Sequence, residues 1–371
     1  MNQATIPANN QANQRLYFID IARSIAILLM LEGHFVHDSL ALDLRDESNQ
    51  IYYYWKFIRG FTSPVFLTVT GIVFTYLLLG NDKTTFWNNM RVRKGLKRVI
   101  ELLFWGYLLQ YYAFHVLQCI GVGIFTIISL YGISRWINVI PLWMYYATAG
   151  VLLFISYLYF GLLPEGQFWP AKAPMFLQNI FHGKHSLFPI TPHMGYTMFG
   201  AMIGVILFQF KEKVKSPNFI LSGFFIGFVL YTLSKKCLLL FGECSIFEQV
   251  NLYRMDWLFE KLGMVFMVLS ILLALETYVL HIKKPNLFLK IGQNTLSIYI
   301  LHMIILYGSI TGRGLTHYFH ERLNAHQIVP YTLGFVLFFV IFVFFLDQIR
   351  AILGFILIPI KKFTNQLLGI N

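Results

Sequence analysis

The chain has 371 residues, 57% of them hydrophobic and 12% charged, about half the charged share of a soluble domain. Its mean hydropathy of +0.61 comes from repeated apolar stretches, each near the length of about 20 residues that spans a bilayer core, and this excludes a soluble enzyme. The formal charge of +12 is the mark of loops that are basic on one side of a membrane, so nucleic acid is dropped as a partner and the lipid bilayer takes its place.

Residues 1–14 are polar and read as a disordered tail, leaving 15–371 as one transmembrane domain. The first apolar run is no cleavable leader, because it lacks a small-residue cleavage site and many more runs follow it. Helices are expected near 16–36, 58–80, 95–113, 116–133, 138–160, 192–210, 218–240, 258–281, 288–309 and 329–358, an all-α fold of about ten transmembrane helices. The third and fourth are separated only by Ala113 to His115 and should form a tight hairpin. The last run is long enough to break into a span and an interfacial piece.

Ten spans put both termini on one side. That side collects seventeen basic residues, including Arg91, Arg93, Lys94, Lys97 and Arg98, against eleven on the other, which places both termini in the cytoplasm. The loops at 161–191 and 235–257 then face outward. The first runs to 31 residues with four prolines, a length that is often functional. Of the three cysteines, Cys119 stands apart, while Cys237 and Cys244 are either a disulfide or two free thiols; no spacing suggests a metal site.

Ionisable groups inside a bilayer are costly and face protein or a water-filled cavity. Arg23 and His34 are eleven residues apart on the first helix, which puts them on nearly one face, roughly 16 Å apart along the axis. Asp20, three residues before Arg23, is placed to pair with it. The plain explanation is a structural ion pair with His34 ending the helix near Glu32, His37 and Asp38. The sharper one is an imidazole base facing a cavity, with arginine guiding an anionic ligand from the cytoplasmic side.

Further polar groups interrupt apolar sequence. Arg59 opens "FIRGFTSPVFLTVTG", whose small residues suit close helix packing. His193 follows two prolines in "LFPITPHMGYTMFG", and "IGQNTLSIYILH" places Asn294 and His302 eight residues apart, again near one face. His115 and Gln118, at the hairpin turn, read as structural.

The strings "RLYFIDIARSIAILLMLEGH", "FIRGFTSPVFLTVTG", "VLQCIGVG", "LFPITPHMGYTMFGAMIG" and "IGQNTLSIYILH" occur in an order that resembles the bacterial relatives of heparan-α-glucosaminide N-acetyltransferase, within the superfamily of transmembrane acyltransferases. The resemblance implies transfer of acetyl from cytosolic acetyl-CoA to an amino or hydroxyl group of a sugar or glycan on the far side, with no metal. It puts His34 at the catalytic position, with His302 or Asn294 as donor or orienting partner, and Arg23 at the cofactor side. Arg59, Arg91 and Arg93 are further candidates for the CoA phosphates, and His37 and His193 for the substrate side. The lysosomal members depart from this chain: they carry asparagine where His34 stands and a histidine further along the first outer loop, nearer Arg45 or Asp46 than His37. Whether acetyl passes through a covalent acetyl-histidine stays open, as does assembly into a homo-oligomer. Competing functions are an O-acyltransferase of a cell-envelope polysaccharide or lipid-linked sugar, a solute transporter, and a non-catalytic scaffold. Missing internal repeats count against the transporter. The short polar N-terminus without a leader points to a bacterial inner membrane.

Overall fold

Each expected apolar stretch is helical over most of its described length in the computed structural model, which describes residues 16–80, 85–111, 113–160, 174–181, 183–242, 255–280, 282 and 286–351, so that 352–358 of the last stretch lie outside it. Its helices are α1 (Tyr17–Ser39), α2 (Gln50–Arg59), α3 (Thr62–Leu79), α4 (Met90–Leu109), α5 (Val116–Trp136), α6 (Leu142–Phe160) and α7 (Met175–Phe181). They continue with α8 (Ile190–Gln209), α9 (Pro217–Gly242), α10 (Asp256–Tyr278), α11 (Leu287–Gln293), α12 (Thr295–Tyr307), α13 (Thr316–Phe319) and α14 (Ala325–Phe344). No strand is present among the described residues. The tail at 1–14, Cys244 and the middle of the 235–257 loop lie outside them.

Seven of these helical stretches are long and apolar enough to cross a membrane, or eight if α11 and α12, bent by 77° at their junction, count as one span. The protein is thus an integral membrane protein. The other two stretches expected to span are α1 and α4. They are long enough, with 23 and 20 residues, but α1 carries Asp20, Arg23, Glu32 and Asp38, and α4 begins with Arg91, Arg93, Lys94, Lys97 and Arg98.

Several helix starts lie earlier than hydropathy indicates because asparagines cap them. The Asn49 side chain accepts the Ile51 and Tyr52 N–H groups, so helix runs from Gln50 through the α2–α3 joint rather than from 58. Asn89 caps α4 in the same way, and Asn324 opens α14 with a capping box closed by Gln327. At the hairpin between α4 and α5, His115 caps α5, and its ring also reaches the Gly106 carbonyl at 3.1 Å.

The core is tightest where α3 crosses α8. A Cβ at Gly71 would run into the Thr197 carbonyl, and one at Gly200 into that of Thr68, so glycine on both helices lets the backbones touch. The first helix is the hub of the other half: it packs on α3, α10, α11, α12 and α14. Ser24 fastens it to α11, accepting the Gly292 N–H at 2.9 Å and lying 2.6 Å from the Phe288 carbonyl. At its other end, Leu40 bridges to Leu323, and the Asp38 and Ser39 carbonyls accept backbone N–H groups from 321–323. With both ends tied, the polar face of α1 is held in one rotation.

Candidate active site

Two histidines from opposite ends of the chain meet on that face. His34 Nδ1 lies 3.1 Å from His302 Nε2, with ring centroids 5.2 Å apart. His302 is fully buried, and its Nδ1 lies 2.6 Å from the Tyr299 carbonyl oxygen. A carbonyl can only accept, so His302 Nδ1 carries the hydrogen of the neutral ring and Nε2 is left as an acceptor. His34 Nδ1–H must therefore be the donor between the rings. That fixes the His34 tautomer and leaves its Nε2 lone pair free, since this ring makes no other hydrogen bond among the described residues.

His34 lines a cavity of about 430 Å³. One wall is α1, from Ala26 through Met30 and Gly33 to His34; Tyr299 of α12 and Lys261 of α10 contribute to others. The joint between α2 and α3 adds Arg59, Gly60, Thr62 and Ser63. Phe188 reaches in from the long 161–191 loop, whose described part folds back onto the hairpin turn through Phe114, bonded to His185 and Leu187. Arg59 can lie along α1 because residue 33 is glycine: a Cβ there would come within 3.1 Å of the arginine Cγ.

Around the imidazole pair, Tyr307 presents its edge to both rings, at 6.1 Å from His34 and 6.3 Å from His302. Its hydroxyl donates to Asp38 at 2.7 Å, one helical turn beyond His34 on α1. Glu32 accepts the indole N–H of Trp55 at 2.7 Å, which docks α2 against α1. Behind Tyr299, the phenol lies 3.4 Å from His115 Nδ1, which links the hairpin cap to the same layer.

The remaining sequence candidates fall in other places. Arg23 donates to Thr295 Oγ1 at 3.2 Å, where α12 begins, and Asp20 accepts from Gln293 at 3.4 Å, so both reach the α11–α12 junction. Asn294 forms that junction: it leaves helical geometry, and its amide donates to the Lys290 carbonyl at 2.7 Å. It lines a separate cavity of about 800 Å³ with Lys290, Gln293 and Arg350. His37 is half-buried on the last turn of α1 and does not line the His34 cavity. His193 donates to the Pro189 carbonyl and stands edge-on to Phe188 at 5.0 Å, one layer behind the wall. Arg91 and Arg93 lie in the first turn of α4, with Arg93 bonded to the Trp87 carbonyl, and neither lines the cavity.

Sequence reading did not single out Tyr299, Tyr307, Asp38 or Lys261. The tyrosines look like ordinary aromatic core positions. Lys261 carried a signal, a charge two residues before the apolar run "GMVFMVLSILLAL", but it was legible only as loop charge. Among the described residues, no cluster of three His, Cys, Asp or Glu side chains could hold a metal ion.

A buried imidazole pair facing a cavity is accompanied by a family match that assigns the class of chemistry: this is a membrane acyltransferase in the broad sense. Residues 15–241 match the family model described as heparan-alpha-glucosaminide N-acetyltransferase, catalytic, and the chain belongs to that family. The match contains Arg23, His34, Arg59 and His193, whereas Lys261, Tyr299, His302 and Tyr307 lie beyond it. No curated protein matches the chain.

Proposed function

We propose that this protein transfers an acetyl group from cytosolic acetyl-CoA to an amino or hydroxyl group of a sugar on the opposite side of the membrane. The observation that carries the reading is the oriented imidazole pair, in which Tyr299 fixes His302 and His302 fixes His34. Acetyl transfer needs a base at the acceptor as it attacks the thioester carbonyl. His34 Nε2 removes the acceptor proton while the new C–N or C–O bond forms. The C–S bond breaks, and the same nitrogen returns the proton to the departing CoA sulfur. His302 is a positioning residue, since it acts through His34.

The topology that fits this job has ten spans, with α1 and α4 crossing despite their charges. Both termini are cytoplasmic, and His34 lies toward the outer half, in a bacterial inner membrane. Arg23 then lies nearer the cytoplasm than His34, on the side from which the donor enters. Amino and hydroxyl acceptors are both served by the same base, so an O-acyltransferase of envelope glycans differs only in the acceptor.

Proteoliposomes of known orientation, given labelled acetyl-CoA on one face and glucosamine or a polysaccharide on the other, test the proposal. Label should reach the acceptor only when His34 is intact. Transfer that survives His34→Gln undiminished would sink it, and so would a solute that crosses without chemical change.

A further inference from the structure

Three cations line the His34 cavity, and among the described residues only one of them forms a direct ion pair. Lys56 closes on Glu47 in an ion pair. Arg59 and Lys261 meet no carboxylate within 4 Å among the described residues and donate no hydrogen bond there. Each is held instead over an indole ring, Arg59 Cζ at 5.7 Å from the Trp55 centroid and Lys261 Nζ at 4.8 Å from that of Trp257.

The backbone makes room for both. The Arg59 stem runs over Gly33, and the Lys261 ammonium sits against Gly60, where a Cβ would lie 3.6 Å from Nζ. The guanidinium and the ammonium therefore converge on the α2–α3 joint from α2 and α10. Ser63 lines the same cavity and offers a hydroxyl without a hydrogen-bond partner among the described residues. The nearby carboxylates act on the two cations only through space: Asp38 and Glu32, which accept from Tyr307 and Trp55, on Arg59, and Glu260 on Lys261. Taking a cation out of water is costly unless an anion meets it. An aromatic face returns only part of that cost.

We infer that Arg59, Lys261 and Ser63 form an anion-binding subsite in the His34 cavity for a carboxylate, sulfate or phosphate group on the ligand that enters it. The inference rests on the acyl-transfer reading only for which ligand this is. An acidic group on the acceptor sugar and a phosphate of the donor present the same chemistry, and binding experiments separate them.

The test uses the full chain in nanodiscs, with binding followed by thermal unfolding and by titration. The probes are glucosamine, glucosamine 6-sulfate, glucosamine 6-phosphate and CoA. At least one charged probe should bind more tightly than glucosamine. That preference should fall about tenfold or more in Lys261→Met, as expected for loss of a charged hydrogen bond, and persist in Lys261→Arg. Dependence seen with the sulfated and phosphorylated sugars assigns the subsite to the acceptor; dependence seen with CoA alone assigns it to the donor. Lys261→Gln serves where the methionine variant folds poorly. The subsite is overturned if no charged probe is preferred, or if the lysine variants weaken glucosamine and its charged derivatives in equal proportion. Charge-dependent binding without any acetyl transfer would instead overturn the enzymatic reading and leave the subsite standing.

Discussion

His34 and His302 lie 268 positions apart in the chain, yet their ring nitrogens approach to 3.1 Å. The direction of that hydrogen bond follows from the Tyr299 carbonyl beyond it, 2.6 Å from His302 Nδ1. One ring is thus fully committed to orienting the other, and the free lone pair is left at the cavity.

This division of labour predicts unequal losses. His34→Gln removes the base and should lower acetyl transfer by about two to four orders of magnitude, the usual contribution of a positioned general base. His302→Gln can still accept from His34 Nδ1 through its side-chain carbonyl and should lose less, whereas His302→Leu should approach the His34 loss. Steady-state rates in the three variants check the ranking. Equal, small losses would show that the pair is packing rather than machinery.

Tyr307 holds the Asp38 side of the same cluster. Tyr307→Phe keeps the ring edge against both imidazoles and removes only the hydrogen bond to Asp38, which is worth about 1.5–3 kcal/mol for a charged acceptor. The carboxylate, one turn from His34, is then released. The expected result is a fall in kcat of tenfold or more with little change in KM for acetyl-CoA. A change confined to the unfolding temperature would make Tyr307 a brace only.

The long helices were legible because most are apolar runs of spanning length; α7 and α13, with seven and four residues, leave no such run. The ends of the long helices were less so, since Asn49, Asn89 and Asn324 extend helix into polar sequence where hydropathy has already fallen. The bend between α11 and α12 had no proline to announce it; Asn294 breaks the helix by bonding its own side chain to the Lys290 carbonyl. Periodicity placed Arg23 and His34 on one face, and Asn294 and His302 on another, but it cannot say which faces meet. The structure joins His34 to His302 and puts Asn294 at the opposite end of α12. Lys261 was hidden for a different reason: a lysine near a helix start reads as topology until Arg59, Gly60 and Trp257 are seen around it.

Backbone contact between α3 and α8 makes a separate prediction about stability. Gly200→Ala puts a methyl group into the Thr68 carbonyl, and neither backbone can yield without moving a helix. Overpacking of this kind costs about 1–3 kcal/mol. Gly334→Ala, on α14, meets nothing within 4 Å and should be neutral or slightly stabilising through helix propensity. Thermal unfolding of the two variants in the same detergent gives the comparison, and a lower midpoint for Gly334→Ala would count against this packing.

Arg23 separates a donor role from a structural one. Its guanidinium reaches Thr295 Oγ1 at 3.2 Å, which joins α1 to the start of the helix that carries His302. If its role is structural, both Arg23→Ala and Thr295→Val should lower kcat by disturbing the imidazole pair and leave KM near the parent value. If the guanidinium also meets the donor, Arg23→Ala should raise KM for acetyl-CoA about tenfold or more while Thr295→Val leaves KM near the parent value, because the valine variant keeps the charge. The donor role predicts this second pattern. It also predicts that Arg23→Lys, which keeps the charge but loses the planar fork, falls between alanine and the parent protein.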